Sequence, residues 1–501
     1  MTRLTCSSHL SNSISISLER EKPTMDNRAL LSELKTQWRI TVPLSAMNLT
    51  WFAKVAITTA FLGRLGKLPL AGASLGLTFA NVTGFSILNG LCTGVEPICG
   101  QAFGAKNFKL LHKTLVMSIS LLLATSIPVA LLWLNVDSIL IRFGQQHDIA
   151  IVAKTYLIYL LPDLVITSFI CPLKTYLSTQ NITVPIMITS TLAVVLHIPV
   201  NVLLSRAFGL KGISMAVWVS DFLAASLLGL YVLVSEQRKG GKWDEGGWWE
   251  QKISDWIRLV KLCGPCCLTL CLEWWCYEIM VLLTGRLPDP ARLVGAIAII
   301  FNFDYLLYSV MLSMATCAAV RVSNEVGSGQ AGPARRSAYV CLGVSVISGF
   351  LGGVATVGVK GVWGPLFTHD KGILRSVRKL MVIMAGLVVV NFPLTVCGGI
   401  LRGTARPWLG TYANMCGFYL VALPLGAVLA FKTGLGLGGF LMGFLGGLVA
   451  CLAILLFFVS RINWEDEVDK AQILACRHHE QNVVNEDDED NQRDKKSLVV
   501  A

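Results

Sequence analysis

The 501 residues are 54% hydrophobic and only 15% charged, with a mean hydropathy of +0.62. A soluble domain carries roughly a quarter charged residues, so charge this dilute in a chain this long excludes a water-soluble fold. The formal net charge of +11 would point to nucleic acid in a soluble protein. Here the basic residues stand between apolar runs, and no Lys/Arg block is interleaved with aromatics. Nucleic-acid binding is excluded, and these residues read as topology signals and lipid-headgroup contacts.

Residues 1–35 form a polar, Ser-rich cytosolic tail without the 7–15-residue apolar core of a signal peptide. Met25-Asp26-Asn27-Arg28 offers an alternative start to Met1. A helix crosses a bilayer with roughly 20 mostly apolar residues. That length applied along the chain predicts about twelve spans: 38–62, 70–96, 110–135, 153–177, 184–205, 212–235, 256–284, 292–320, 336–360, 376–401, 408–431 and 435–460. The runs are continuous, not alternating, which excludes membrane strands. The fold class is therefore all-α and polytopic. A polar linker at 236–253 separates an N-lobe, 36–235, from a C-lobe, 254–461. The polar tail 462–501, with its acidic cluster Glu486 to Asp490, is expected to be disordered and cytosolic.

The two halves resemble each other. Gly63-Arg64-Leu65 recurs as Gly285-Arg286-Leu287, an offset of 222 positions. Gly72 recurs as Gly295, and Gln101-Ala102-Phe103-Gly104 stands where Asn324-Glu325-Val326-Gly327 stands. Leu177 matches Leu401, and Pro199 matches Pro424 at an offset of 225. Six spans per half make both halves enter the membrane from the same side. They are parallel repeats, related by a pseudo-two-fold along the membrane normal. Lys35, Arg39 and the central linker favour cytosolic termini, which makes the sequon Asn181-Ile182-Thr183 cytosolic and unglycosylated.

Most of the fifteen cysteines lie inside spans, where the residue behaves as a small apolar group. Cys263-x-x-Cys266-Cys267 lacks a second ligand pair at zinc spacing and reads as packing. Gly434-Leu435-Gly436-Leu437-Gly438-Gly439, with Gly443 and Gly446-Gly447, reads as close helix packing. No span holds paired histidines, which argues against a membrane-embedded enzyme, and the Gly-x-x-x-x-Gly-Lys-Ser/Thr loop of an ATP-driven pump is absent. A two-lobe repeat favours secondary transport by alternating access. A channel or a transporter-derived sensor is the alternative.

An acid at bilayer depth is a functional hypothesis by default. The candidates are Glu96, Asp163, Asp221, Glu273, Glu278 and Asp304. Antiport needs a site that protonates near neutral pH and competes with substrate, and burial raises a carboxylate toward that range. Glu273, mid-span beside Trp274 and Trp275, is the first choice; a structural hydrogen-bonder is its alternative. Glu278 lies five residues on, about 140° around the helix, so the two should not share a face. Asp163 follows Pro162 and either anchors a helix break or takes part in coupling. Glu96 caps a helix or makes an interlobe contact, and Asp221 is undecided. His197, close before Pro199, suits a hydrogen bond to the carbonyl that proline frees. Pro43 marks a kink or a gating hinge.

Several stretches together resemble the multidrug and toxic compound extrusion (MATE) family in its plant DETOXIFICATION branch. They are Glu96-Pro97-Ile98-Cys99-Gly100-Gln101-Ala102-Phe103-Gly104-Ala105-Lys106, Leu161-Pro162-Asp163-Leu164, Leu196-His197-Ile198-Pro199-Val200-Asn201, Cys271-Leu272-Glu273-Trp274-Trp275, Arg321-Val322-Ser323-Asn324-Glu325-Val326-Gly327 and Leu401-Arg402-Gly403-Thr404-Ala405-Arg406-Pro407. The resemblance implies efflux of small organic solutes such as xenobiotics, secondary metabolites or hormones. Two six-helix lobes would rock as a monomer, driven by protons and needing no cofactor or metal, in the plasma membrane, the vacuole or another endomembrane. Glu273 aligns with the family's proton-binding glutamate. Many plant members carry an aspartate eleven residues before the Arg-Gly pair, where this chain has Asn391, which cannot titrate. Asp304 stands where relatives usually have a neutral residue, so it either replaces that acid or pairs locally. Tyr277, Asn391, Asp163 and Asp221 are assigned to the substrate cavity or its polar support. Thr58 occupies the position of the bacterial acid of the first span, which argues against an ion site in the N-lobe. Pro43 matches a family proline at which that helix bends.

Overall fold

The computed structural model describes residues 27–238 and 251–473, and among these every regular element is helical. Twelve helices are long and apolar enough to cross a membrane. In the N-lobe they are α1 (Asn27–Leu65), α2 (Lys67–Gly104), α3 (Phe108–Leu134), α4 (His147–Thr179), α5 (Val184–Phe208) and α6 (Leu210–Arg238). In the C-lobe they are α7 (Ile253–Thr284), α8 (Pro290–Gly327), α9 (Ala331–Val359), α10 (Lys371–Gly403), α11 (Pro407–Lys432) and α12 (Gly436–Ser460). The chain is an integral multi-pass membrane protein.

Each lobe repeats one packing scheme. α4 packs against α2, α3 and α6, while α5 packs against α6 and α1. At the corresponding places α10 packs against α8, α9 and α12, while α11 packs against α12 and α7. Turn chemistry repeats as well. α2, α4, α8 and α10 all end with a left-handed residue, respectively Lys106, Asn181, Gly329 and Ala405. At each end the following N–H reaches back five residues: Asn107 to Ala102, Ile182 to Leu177, Gln330 to Glu325 and Arg406 to Leu401, at 2.8–3.0 Å. That bond satisfies a carbonyl the helix end would leave unpaired. It also turns the chain sharply, so the next helix returns beside the last.

The lobes meet through α2 against α8, flanked by α2 against α7 and by α1 against α8. Those two flanking contacts are mates under the pseudo-two-fold, and α2–α8 lies on its axis. The contact concentrates at the end that holds Gln101 and Asn324. A Cβ on Gly104 would overlap the carbonyl oxygen of Asn324, and one on Gly327 would overlap that of Gln101. The two matched tetrapeptides of the repeat therefore pack on each other, and each glycine admits the other helix's backbone. The neighbouring ion pair Arg321–Glu33 (2.8 Å) ties α8 to α1 at the same end, and Glu325, one turn along α8, holds the same guanidinium (2.6 Å).

Several expectations need correction. Residues 27–35, read as tail, belong to α1, because Glu33 and Gln37 find buried partners on α8 and α9. Residues 464–473, also read as tail, are helical; Trp464, Val468 and Ala471 lie on one face and join the C-lobe core. α7 is not wholly a C-lobe element. Leu259 and Cys263 pack with Val95, Leu111 and Leu228, whereas Cys276 and Met280 belong to the C-lobe core. Helix α4 runs unbroken through Pro162, so Asp163 anchors no break. The glycine run divides in two. Gly439, Gly443 and Gly447 let α12 lie directly on Leu429, Gly426 and Ala422 of α11, while Gly434 in the connection and Gly436 at the first position of α12 have φ of 71° and 56°. The alternative start at Met25, residues 239–250 of the linker and the acidic cluster at 486–490 lie outside the described residues.

Candidate functional site

Between the lobes lies a cavity of about 370 Å³, lined by α1, α2, α4, α5, α6, α7 and α8. That volume suits a small organic molecule. Aromatic rings make up much of the wall: Trp51, Phe52, Phe85, Trp274, Tyr277, Phe301, Tyr305 and Tyr308. The cavity also holds all six candidate acids, Glu96, Asp163, Asp221, Glu273, Glu278 and Asp304.

Three of these acids belong to ion-paired groups, while Glu273 feels Arg402 only at longer range. Glu96, in the last segment of α2, accepts from Arg402 of α10 (3.3 Å) and from Thr316 of α8 (3.4 Å). It is the interlobe contact that its position suggested. Asp221 of α6 is ion-paired with Lys54 of α1, and Asp163 of α4 faces both. The C-lobe wall differs. Glu273 and Asp304 are 8% and 6% exposed and enter no salt bridge among the described residues. Asp304 Oδ1 accepts no hydrogen bond. Around them Trp274 Nε1 donates to the Tyr308 hydroxyl (3.3 Å), and Tyr277 is wedged edge-on between Phe301 and Phe444, with centroids at 5.3 and 4.7 Å.

Local structure explains how α7 presents these groups. Trp275 Nε1 donates to the carbonyl of Val82 (3.1 Å), which lies in a π-helical turn of α2, Asn81–Phe85. A π turn widens the helix and exposes carbonyls to other donors, and Val82 also accepts from Ser86 (2.7 Å). This bond fixes the rotation of α7, so Glu273, Trp274 and Tyr277 face the cavity.

The structure brings Tyr277, Asp163 and Asp221 into the cavity wall but not Asn391. That residue is 2% exposed on α10, which α8, α9 and α12 enclose, so it does not line the cavity. Glu278 does share the cavity with Glu273, contrary to the angular argument. A helix standing in a cleft presents a wide arc, and 140° falls within it. His197 is no partner for a freed carbonyl of its own helix. Its Nε2 meets Thr58 Oγ1 (3.0 Å) and Asn201 Nδ2 (2.8 Å), and its Nδ1 meets Ser220 Oγ (2.7 Å) and the Ala216 carbonyl (3.2 Å). It joins α1, α5 and α6. Pro43 is buried within a continuous α1. Cys263 and Cys267 lie against Gly94 and Gly90 as close-packed surfaces. Among the described residues no cluster of His, Cys, Asp and Glu could hold a metal ion.

Sequence reasoning missed Lys54 and Arg402. A lysine in a membrane span is as costly as an acid, and that signal was available for Lys54. Nothing in the sequence paired Arg402 with an acid 306 positions away. The pair makes a direct prediction. Arg402→Met leaves the Glu96 carboxylate buried and unpaired, which costs about 3–5 kcal/mol. Melting in detergent should fall for Arg402→Met and recover when Glu96→Gln is added. Failure of the second substitution to restore stability would show that the two groups are not coupled.

The comparisons bear on this geometry. The family model described as MatE matches residues 43–203 and 265–428, one stretch in each lobe. The chain belongs to the MATE family. It is 59% identical to Protein DETOXIFICATION 56 of Arabidopsis thaliana over 450 residues, covering 90% of this chain and 92% of that one. It is 39% identical to Protein DETOXIFICATION 49 of the same plant, covering 89% of each. Among solved structures it resembles the eukaryotic MATE transporter AtDTX14, with a TM-score of 0.83 at 28% identity, over 88% of this chain and 99% of that one. A multidrug resistance MATE family transporter in an outward-facing conformation matches with a TM-score of 0.77 at 15% identity, over 90% and 100%, which supports the fold. This MATE protein is an efflux transporter, not an enzyme.

Proposed function

We propose that this MATE protein is a proton-coupled antiporter that exports small amphipathic organic molecules by alternating access. The observation that carries the reading is the asymmetry of the cavity. The acids of its N-lobe wall and floor are paired with Lys54 or Arg402 or lie against such a pair, while Glu273 and Asp304 on the C-lobe wall have no cation in salt-bridge contact among the described residues, Arg402 reaching Glu273 only at longer range. A carboxylate without a fixed counter-ion in a largely apolar site binds a proton readily. Glu273 is the coupling residue on this account. Asp304 is the second acid, in place of the one that Asn391 cannot supply. Tyr277 shapes the substrate surface beside them, and Asp163 and Asp221 support it from the opposite wall. Pro43 serves as a gating hinge.

The transporter works as a monomer without cofactor or metal. Both termini face the cytosol, so the closed end at Gly104 and Gly327 is cytosolic and the cavity faces the opposite side. The plasma membrane and the vacuolar or another endomembrane all suit this orientation. The test is uptake of a fluorescent amphipathic compound into proteoliposomes of purified protein. Uptake should follow an imposed pH gradient and stop when the gradient is collapsed. Flux indifferent to the gradient would remove proton coupling from the account, and passive conduction of the compound would make the protein a channel.

A further inference from the structure

Three helices of the N-lobe place charge at one point. Lys54 of α1 donates to Asp221 of α6, and Asp163 of α4 stands beside them. Asp163 is 3% exposed, and its Oδ1 accepts no hydrogen bond. Two acids therefore converge beside one ammonium, which is bonded to Asp221, and Asp163 lies against Asp221. The surroundings are fixed and mostly neutral. Thr58 Oγ1 donates to the Lys54 carbonyl (2.9 Å), and His197 on α5 ties Thr58 to Ser220 on α6. The other titratable groups near the cluster are Tyr156, Cys171 and Lys174, all on α4.

We propose that Asp163 and Asp221 form a monovalent-cation site in the N-lobe, that its occupant is the chain's own Lys54 ammonium, and that the site takes up sodium or a proton when that ammonium is removed. Carboxylate oxygens from separate helices beside a buried cation, one of them without a partner, are donors that suit a small hard cation. A buried pair of carboxylates is not tolerated without a counter-charge. Lysine supplies that charge covalently, so it cannot leave during the transport cycle. The consequence rests on the proton-antiport reading: with the N-lobe site permanently filled, the exchanging proton is confined to the C-lobe wall. The cation site itself does not rest on that reading, and a stability measurement tests it without transport.

The full-length protein is purified in detergent and its melting followed by tryptophan fluorescence, in sodium chloride or choline chloride of equal strength, at about pH 8 and about pH 5.5. The wild type should melt at the same temperature in both salts. Lys54→Met should melt lower by at least ~5 °C in choline at the higher pH. At least half of the loss should return on acidification, the proton arm, or in sodium, the metal arm. Lys54→Met/Asp163→Asn/Asp221→Asn should be folded, indifferent to sodium, and no more responsive to acid than the wild type. The proposal is overturned if Lys54→Met melts like the wild type, if neither acid nor sodium restores it, or if the triple variant keeps the dependence. Should Lys54→Met yield no folded protein, Lys54→Met/Asp221→Asn must fold and respond to acid or sodium, and its failure overturns the proposal equally.

Discussion

Alanine at Gly327 should open the closed end of the transporter and cut gradient-driven flux at least ~10-fold. The added Cβ would overlap the backbone carbonyl of Gln101, and at Gly104 the same change would strike that of Asn324. A flexible side chain could yield, but both obstacles are backbone within helices. Overpacking of this kind costs about 1–3 kcal/mol or more, and about 1.4 kcal/mol already shifts a two-state equilibrium tenfold. The cost falls only on the state in which the lobes touch here, so the fold should survive. Ser323 reports the opening, since it is buried against Gly100. A cysteine placed at Ser323 should react with a membrane-impermeant maleimide at least ~10-fold faster in the Gly327→Ala background. Equal rates in the two backgrounds would mean that the glycine contact does not govern closure.

Glu273→Gln should abolish proton-driven uptake while leaving folding and binding intact. Glutamine keeps the volume and hydrogen-bonding capacity of the protonated acid but cannot ionise. Glu273 makes no ion pair among the described residues, so no counter-ion is stranded by the change. Its melting temperature should therefore stay near that of the wild type, in contrast to Arg402→Met. Asp304→Asn should reduce flux less, because Glu273 still cycles its proton. If Glu273→Gln transports at the wild-type rate and Asp304→Asn does not, the coupling site lies one helix over.

Much of the architecture is legible in the sequence, because membrane spans are set by length and apolarity. A repeat offset of 222 to 225 positions also survives in glycines and prolines that turn or pack the backbone. The matched Gln101–Gly104 and Asn324–Gly327 tetrapeptides even mark where the axis passes. Boundaries read less well, since the apolar run stops at the interface while the helix continues through polar residues such as Glu33. The cavity's acids were all visible as costly residues in apolar runs. Their partners were not, because pairing across α1, α4 and α6, or from α2 to α10, depends on tertiary packing. That Asn391 stands outside the cavity lining was hidden for the same reason: its span is apparent, but the enclosure of α10 by three neighbours is not.

Obligatory exchange of substrate for a proton at Glu273 can be read by reversing the drive. Sealed proteoliposomes holding a pH-sensitive dye start with equal pH on both sides, and a gradient of transported compound is imposed. The wild type should move protons against the substrate flow and shift the internal pH, and Glu273→Gln should leave it unchanged. A pH shift of wild-type size in Glu273→Gln, or substrate movement by the wild type with no pH change, would contradict the account.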